Sequence, residues 1–193
     1  MKIYLAGPEV FLDDATEISR RKVEACARHG FHGLSPMDGG VDVNAPEASR
    51  LIFEKNVEMM RASDAIIANL TPFRGVSADP GTVFELGFCF ALGKAVMGYS
   101  GHPENLVART RRALGHDAAH SGVLSDGLHV EDFDLPDNLM MAEAINAAGW
   151  SMILPDAPVA DPWRDLTLFE AALKALKFST AIPRAARQGD GNG

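Results

Sequence analysis

The stretch "DAIIANLTPFRGVSADPGTVFELGFCFALGKAVMGY", residues 64–99, decides the fold. "DAIIANL" (64–70) is a short apolar run and predicts a buried strand. A loop through Pro72, Arg74 and Gly75 follows it. Asp79-Pro80 then reads as a helix start, with Asp as N-cap and Pro in the first turn, and the helix runs to about Leu92. Gly93-Lys94 turns the chain into a second strand, "AVMGY" (95–99). A strand, a helix and another strand in one short stretch imply parallel pairing.

The pattern repeats outward from this unit. "KIYLA" (2–6) is a strand closed by Gly7-Pro8. Residues 14–29, "DATEISRRKVEACARH", place Ile18, Val23 and Ala27 at helical spacing, and "FHGLSP" (31–36) is a weaker strand. "DGGVDVNAP" is turn chemistry, and Pro46 opens a helix to about Ala62 with Leu51, Val57 and Met60 inward. Residues 101–136 are polar, with a short helix at 104–114. "PDNLMMAEAINAAG" is a helix ended by Gly149, "WSMILP" (150–155) a fifth strand, and 163–177 the last helix. From Ser179 the apolar content is too low to fold, so 1–178 is read as one domain and 179–193 as a disordered tail. The expected fold is α/β and flavodoxin-like: a doubly wound, five-stranded parallel sheet with helices on both faces. Such sheets bind ligands at the carboxyl ends of their strands, near the switch point between the first and third strands. The segments "GPEVF" and "TPFRGVSADPG" converge there.

Composition narrows the partners. A formal net charge of −8 over 193 residues argues against a polyanionic nucleic-acid partner. The short basic cluster Arg109, Arg111, Arg112 reads as a solvated face. Two cysteines without C-x-x-C fit a reducing compartment. The apolar run at the N-terminus is too short for a signal peptide and no stretch approaches a membrane span, so the expected location is cytoplasmic. His116 and His120 have i,i+4 spacing but no further ligand, and no metal site is assigned. No phosphate-binding P-loop, dinucleotide fingerprint or hydrolase triad occurs.

Glu85 stands out because Phe84, Leu86, Phe88, Cys89, Phe90 and Leu92 surround it in sequence. A carboxylate in apolar surroundings costs several kcal/mol unless paired or used. Its helical neighbours Phe88, Cys89 and Leu92 cannot pair with it, so a purely structural Glu85 needs a partner from another element. Gly81, one turn earlier, removes side-chain bulk and lets a ligand approach. Glu85 is therefore read as facing a crevice. Asp79 has a sufficient bland reading as a helix cap. Tyr4 reads as core or site, and Phe11, in a loop, as a platform for a planar ligand.

Together, "IYLAGPEVF", "NVEMMRASDAIIANLTPFRG", "DPGTVFELGFCFALGKAV" and "DNLMM" resemble the nucleoside 2-deoxyribosyltransferase family over roughly residues 2 to 154. The resemblance implies a flavodoxin-like fold and action on 2′-deoxynucleosides without a cofactor. It makes Glu85 the catalytic nucleophile and Asp79 its acidic companion, with Asn138 supplied by a neighbouring subunit of a homo-oligomer. Asp79 and Asn138 would hold the sugar's 5′-hydroxyl. Tyr4, Gly7, Pro8, Phe11, Asn56 and Gly81 complete the expected substrate-binding set. Several family members carry Asp where this chain has Asn56, which leaves open the residue that protonates the departing base.

The implied reaction is a two-step exchange of nucleobases through a covalent deoxyribosyl ester on Glu85, with slow hydrolysis as a side reaction and 101–136 as a lid. One rival is an N-glycosidase acting on nucleoside 5′-monophosphates. The string G-T-x-x-E at 81–85 also occurs in phosphoribohydrolases, although their preceding P-G-G is absent. Asp79 argues against a 5′-phosphate, and related nucleotide hydrolases tend to carry Ser there. The other rival is a nucleotide-binding module without turnover.

Overall fold

The computed structural model describes residues 1–117 and 123–181. Its centre is a parallel sheet of four strands: β1 (Lys2–Ala6), β2 (His32–Leu34), β3 (Ala65–Asn69) and β4 (Ala95–Tyr99). The spatial order is β2-β1-β3-β4, with Tyr4 opposite Leu34 on one side and Ile66 on the other. This is the flavodoxin-like order 2-1-3-4-5 without a full fifth strand.

The fifth strand expected at 150–155 shrinks to a single bridge. Ile153 donates to the Gly98 carbonyl at 3.0 Å and accepts from Ser100 N at 3.0 Å. The next rung of a parallel ladder would need the N–H of residue 155, and that residue is proline.

Period-two alternation sorts the strands into two cores. Ile3, Leu5, Ala65, Ile67, Met97 and Tyr99 face one side, where α1 (Ala15–Arg28) supplies Ala25 and Cys26. The last helix, α6 (Thr167–Ala181 in this chain), adds Phe169, Ala172, Leu173 and Leu176 to that side. Tyr4, Ala6, Ile66, Ala68 and Val96 face the other side. There they meet Met60 of the helix Ala48–Ala62 (α2) and Leu86 and Cys89 of Pro80–Ala91 (α3). Met141 and Ile145 of the helix Leu139–Ala147 complete this layer. In chain order these helices are α1, α2, α3, then α4 (Leu106–Ala113), α5 (Leu139–Ala147) and α6. Gly98 lets α5 close on the sheet: a Cβ there would lie 2.7 Å from Ile145 Cδ1. Helices thus cover both faces, as expected.

Several local expectations shift. In α1 the buried face is Ile18, Lys22, Ala25 and Cys26, while Ala27 is exposed. Burial of a lysine made that face illegible as an apolar stripe. The last helix begins at Thr167 and continues through Ala181, so residues 179–181 of the expected tail are helical; 182–193 lie outside the described residues. Arg109 is not part of a solvated face. It is 4% exposed and pairs with Asp137, itself 1% exposed, while donating to the Val76 carbonyl at 2.8 Å. No helix among the described residues is long and apolar enough to cross a membrane.

Candidate active site

A cleft of about 530 Å³ opens beyond the carboxyl end of β1, between the turn after β1, the segment after β2, α2 and the N-terminus of α3. One wall is the turn Pro8–Phe11 after β1, held from beneath by a buried ion pair. Glu9 accepts from Lys22 Nζ, from Asn69 Nδ2 at 2.8 Å and from Tyr99 OH at 3.3 Å. Glu9 and Lys22 are 6% and 5% exposed, so removing either partner would leave an uncompensated charge indoors. Gly7 is needed here for close approach: a Cβ at this position would overlap the Glu9 carboxylate.

The N-terminus of α3 forms the floor. Asp79 caps the helix, its Oδ2 accepting from Thr82 N at 2.9 Å and from the Thr82 hydroxyl at 3.1 Å. The loop entering this cap is fastened by Asp137, which accepts from Ser77 Oγ at 2.5 Å and from Ala78 N at 3.2 Å. Asp79, Gly81, Thr82 and Glu85 all line the cleft. The bland and the functional readings of Asp79 therefore both hold in part: it caps the helix and also faces the cavity.

Glu85 forms no ion pair among the described residues. Its partner comes from β1: Tyr4 OH donates to Glu85 Oε1 at 2.6 Å. Burial pushes the Glu85 carboxyl up to about 7, the Tyr4 hydrogen bond opposes this, and the Asp79 charge adds to it. Near pH 7 this carboxyl is therefore only partly ionised. Tyr4 is wholly buried, and burial together with the Glu85 charge holds its phenol far above its ordinary range. It is a neutral donor throughout the physiological range.

The pairing of a cleft-facing carboxylate with a phenol on the neighbouring strand coincides with a family match. The model for "Nucleoside 2-deoxyribosyltransferase" matches residues 3–140. The chain belongs to this family. A 2-desoxiribosyltransferase from Leishmania mexicana superposes with a TM-score of 0.63 at 32% identity, covering 92% of this chain and 97% of its own. An uncharacterized protein of Schizosaccharomyces pombe is 34% identical over 165 residues, 76% of this chain and 78% of its own length. A conserved protein from Enterococcus faecalis shares the fold, with a TM-score of 0.53 at 19% identity over 91% of this chain and 98% of its own.

Within this nucleoside 2-deoxyribosyltransferase fold, most of the residues anticipated from sequence converge. Gly7, Phe11, Asn56, Asp79, Gly81 and Glu85 line one cleft. Tyr4 reaches it only through Glu85, so its place is behind that carboxylate and not on the cleft wall. Pro8 is buried in the turn and is absent from the cleft wall. Phe11 is 58% exposed, but one side of its ring stacks on Phe73, centroids 5.4 Å apart. Asn138 is elsewhere, capping α5 with its side chain on Met140 N at 3.0 Å.

The described residues of 101–136 do not line this cleft; Arg109 fastens that segment to the loop before Asp79, and within the segment Leu106 N donates to the Leu135 carbonyl. Of the histidine pair, His116 Nε2 accepts from Ser125 N at 2.9 Å, and His120 lies outside the described residues. No cluster of three metal-ligating side chains occurs among the described residues.

Sequence reading missed one whole wall. Met37, Gly39, Gly40, Val41 and Val43, from the segment between β2 and α2, close the cleft opposite α3. Ile52 and Lys55 of α2 join them. "DGGVDVNAP" was legible as turn chemistry; its apolar Val41 and Val43 were the available sign that the turn covers something.

Proposed function

We propose that this protein exchanges nucleobases on 2′-deoxynucleosides through a covalent deoxyribosyl ester on Glu85. The single observation that carries the reading is the placement of Glu85: on the cleft, without an ion-pair partner among the described residues, and aimed by the Tyr4 hydroxyl. In the first half-reaction the ionised carboxylate attacks C1′ as the base departs. In the second, an incoming base attacks the same carbon and frees the carboxylate, so two inversions return the β-nucleoside. A 2′-deoxy sugar suits this, because no electron-withdrawing group at C2′ opposes the positive charge that develops at C1′. No cofactor is required.

Asp79 stands where the sugar's 5′-hydroxyl would lie, and its negative charge disfavours a 5′-phosphate. This favours a nucleoside substrate over a nucleoside monophosphate. The deciding assay incubates a deoxynucleoside with and without a second free base. The transferase reading expects a new nucleoside only with the acceptor present. Free base released at the same rate without an acceptor would favour the glycosidase, and binding without turnover would favour a sensing module.

The chain's own Asn138 does not line this cleft, in keeping with a role in a neighbour's site. Phe53, Phe84 and Met140, exposed by 55%, 52% and 71%, supply apolar surface of the kind subunits bury. If sites are shared, mixing Glu85→Ala chains with Asn138→Ala chains restores exchange that neither shows alone. Failure of such mixed oligomers, once their formation is verified, would remove the assignment in trans.

A further inference from the structure

The departing nucleobase carries the electron pair of the broken C1′–N bond and leaves far faster if a proton reaches it. Among the polar side chains that line the cleft, four are poor sources of that proton. The Asn56 amide is far too weak an acid to give up an N–H proton, and Glu85 must be a bare carboxylate to attack. Asp79 accepts two hydrogen bonds as a helix cap, and the Thr82 hydroxyl is committed to Asp79. Lys55 remains, the one cation among the described residues on the cleft wall.

Its position is defined. Lys55 adjoins Asn56 on α2, and its Nζ donates to the carbonyl of Gly39 in the segment that closes the cleft. The Lys55 stem runs alongside Gly39: a Cβ built there would lie 3.5 Å from Lys55 Cδ, an ordinary van der Waals contact. One ammonium proton is thus engaged and two remain available. No carboxylate pairs with Lys55 among the described residues.

Resting on the transfer chemistry proposed above, we propose that Lys55 is the proton donor to the leaving base, the task left open by Asn56. In the first half-reaction the C1′–N bond breaks and its electron pair stays on the base. A Lys55 ammonium proton moves to a ring nitrogen, and a Glu85 oxygen bonds to C1′. In the second, the ring nitrogen of the incoming base bonds to C1′ and the ester electrons return to Glu85. The incoming base's proton then passes to the neutral Lys55 amine. The protein ends as it began, ready for another exchange.

Lys55→Met keeps the aliphatic stem and removes the proton. It should lower exchange from an ordinary purine deoxynucleoside by roughly 100-fold or more. A 7-methylated purine deoxynucleoside already carries the positive charge on its base, which leaves as a neutral molecule without a donor. Its turnover by Lys55→Met should stay close to that of the unsubstituted protein, while Glu85→Gln loses both substrates. Equal losses on the two substrates would reduce Lys55 to a fastener of the Gly39 segment and overturn the assignment. No loss on either would overturn it as well. If the unsubstituted protein turned over neither substrate, the transfer reading itself would fall first.

Discussion

Glu85→Gln should lose base exchange by roughly 10⁴-fold or more and at the same time gain stability at alkaline pH. The loss follows because a carboxamide cannot form the ester with C1′. The gain follows from linkage. With the folded-state value pushed from 4.5 to about 7, the folded chain holds a proton on Glu85 that the unfolded chain has already released. Stability contributed by this group therefore declines as pH rises from about 4.5 to about 7 and is level above that. The decline amounts to about 3 kcal/mol, and Gln does not undergo it. Gln also retains an oxygen to accept the Tyr4 hydrogen bond. Denaturant unfolding of both proteins at pH 5 and pH 8 reads the effect: the advantage of the variant should widen at pH 8. A constant difference would mean that burial does not tax the charge.

Tyr4→Phe tests the second half of the site. The Tyr4 hydroxyl opposes the upward push on Glu85, so its removal raises the carboxyl further. The proposed exchange needs the ionised form, and its rate should already climb with pH through about 7 in the unsubstituted protein. In Tyr4→Phe the rising limb should move alkaline by about 1 to 2 pH units, the worth of a hydrogen bond to a charged group. Activity at pH 7 then falls roughly 5- to 50-fold and recovers in part above pH 8. A loss independent of pH would show that Tyr4 acts by packing alone.

The residues differ in how legible they were. Glu85 announced itself because a charge in an apolar helix violates the local pattern, and its partner was knowable only as coming from another element. That partner, Tyr4, reads as core or site from sequence because strand residues on the sheet's interior face are apolar and aromatic alike. The turn Pro8–Phe11 was legible as a break after β1, but the Glu9–Lys22 pair beneath it was not: each residue, alone, looks like surface. Arg109 misled in the same way, since its buried pairing with Asp137 leaves no trace in composition. The fifth strand failed for a different reason. "WSMILP" has the right apolar content, yet Pro155 withholds the N–H that the second rung requires. The cleft wall from Met37 to Val43 was hidden because turn residues reveal where a chain bends, not what it covers.

The most direct measurement is the intact mass of the protein quenched during turnover of a 2′-deoxynucleoside, followed by mapping of the modified peptide. The account predicts a fraction of chains heavier by one deoxyribosyl group, carried on the peptide containing Glu85 and absent from Glu85→Gln. Rapid exchange with no adduct at any quench time, or an adduct on another residue, would contradict it.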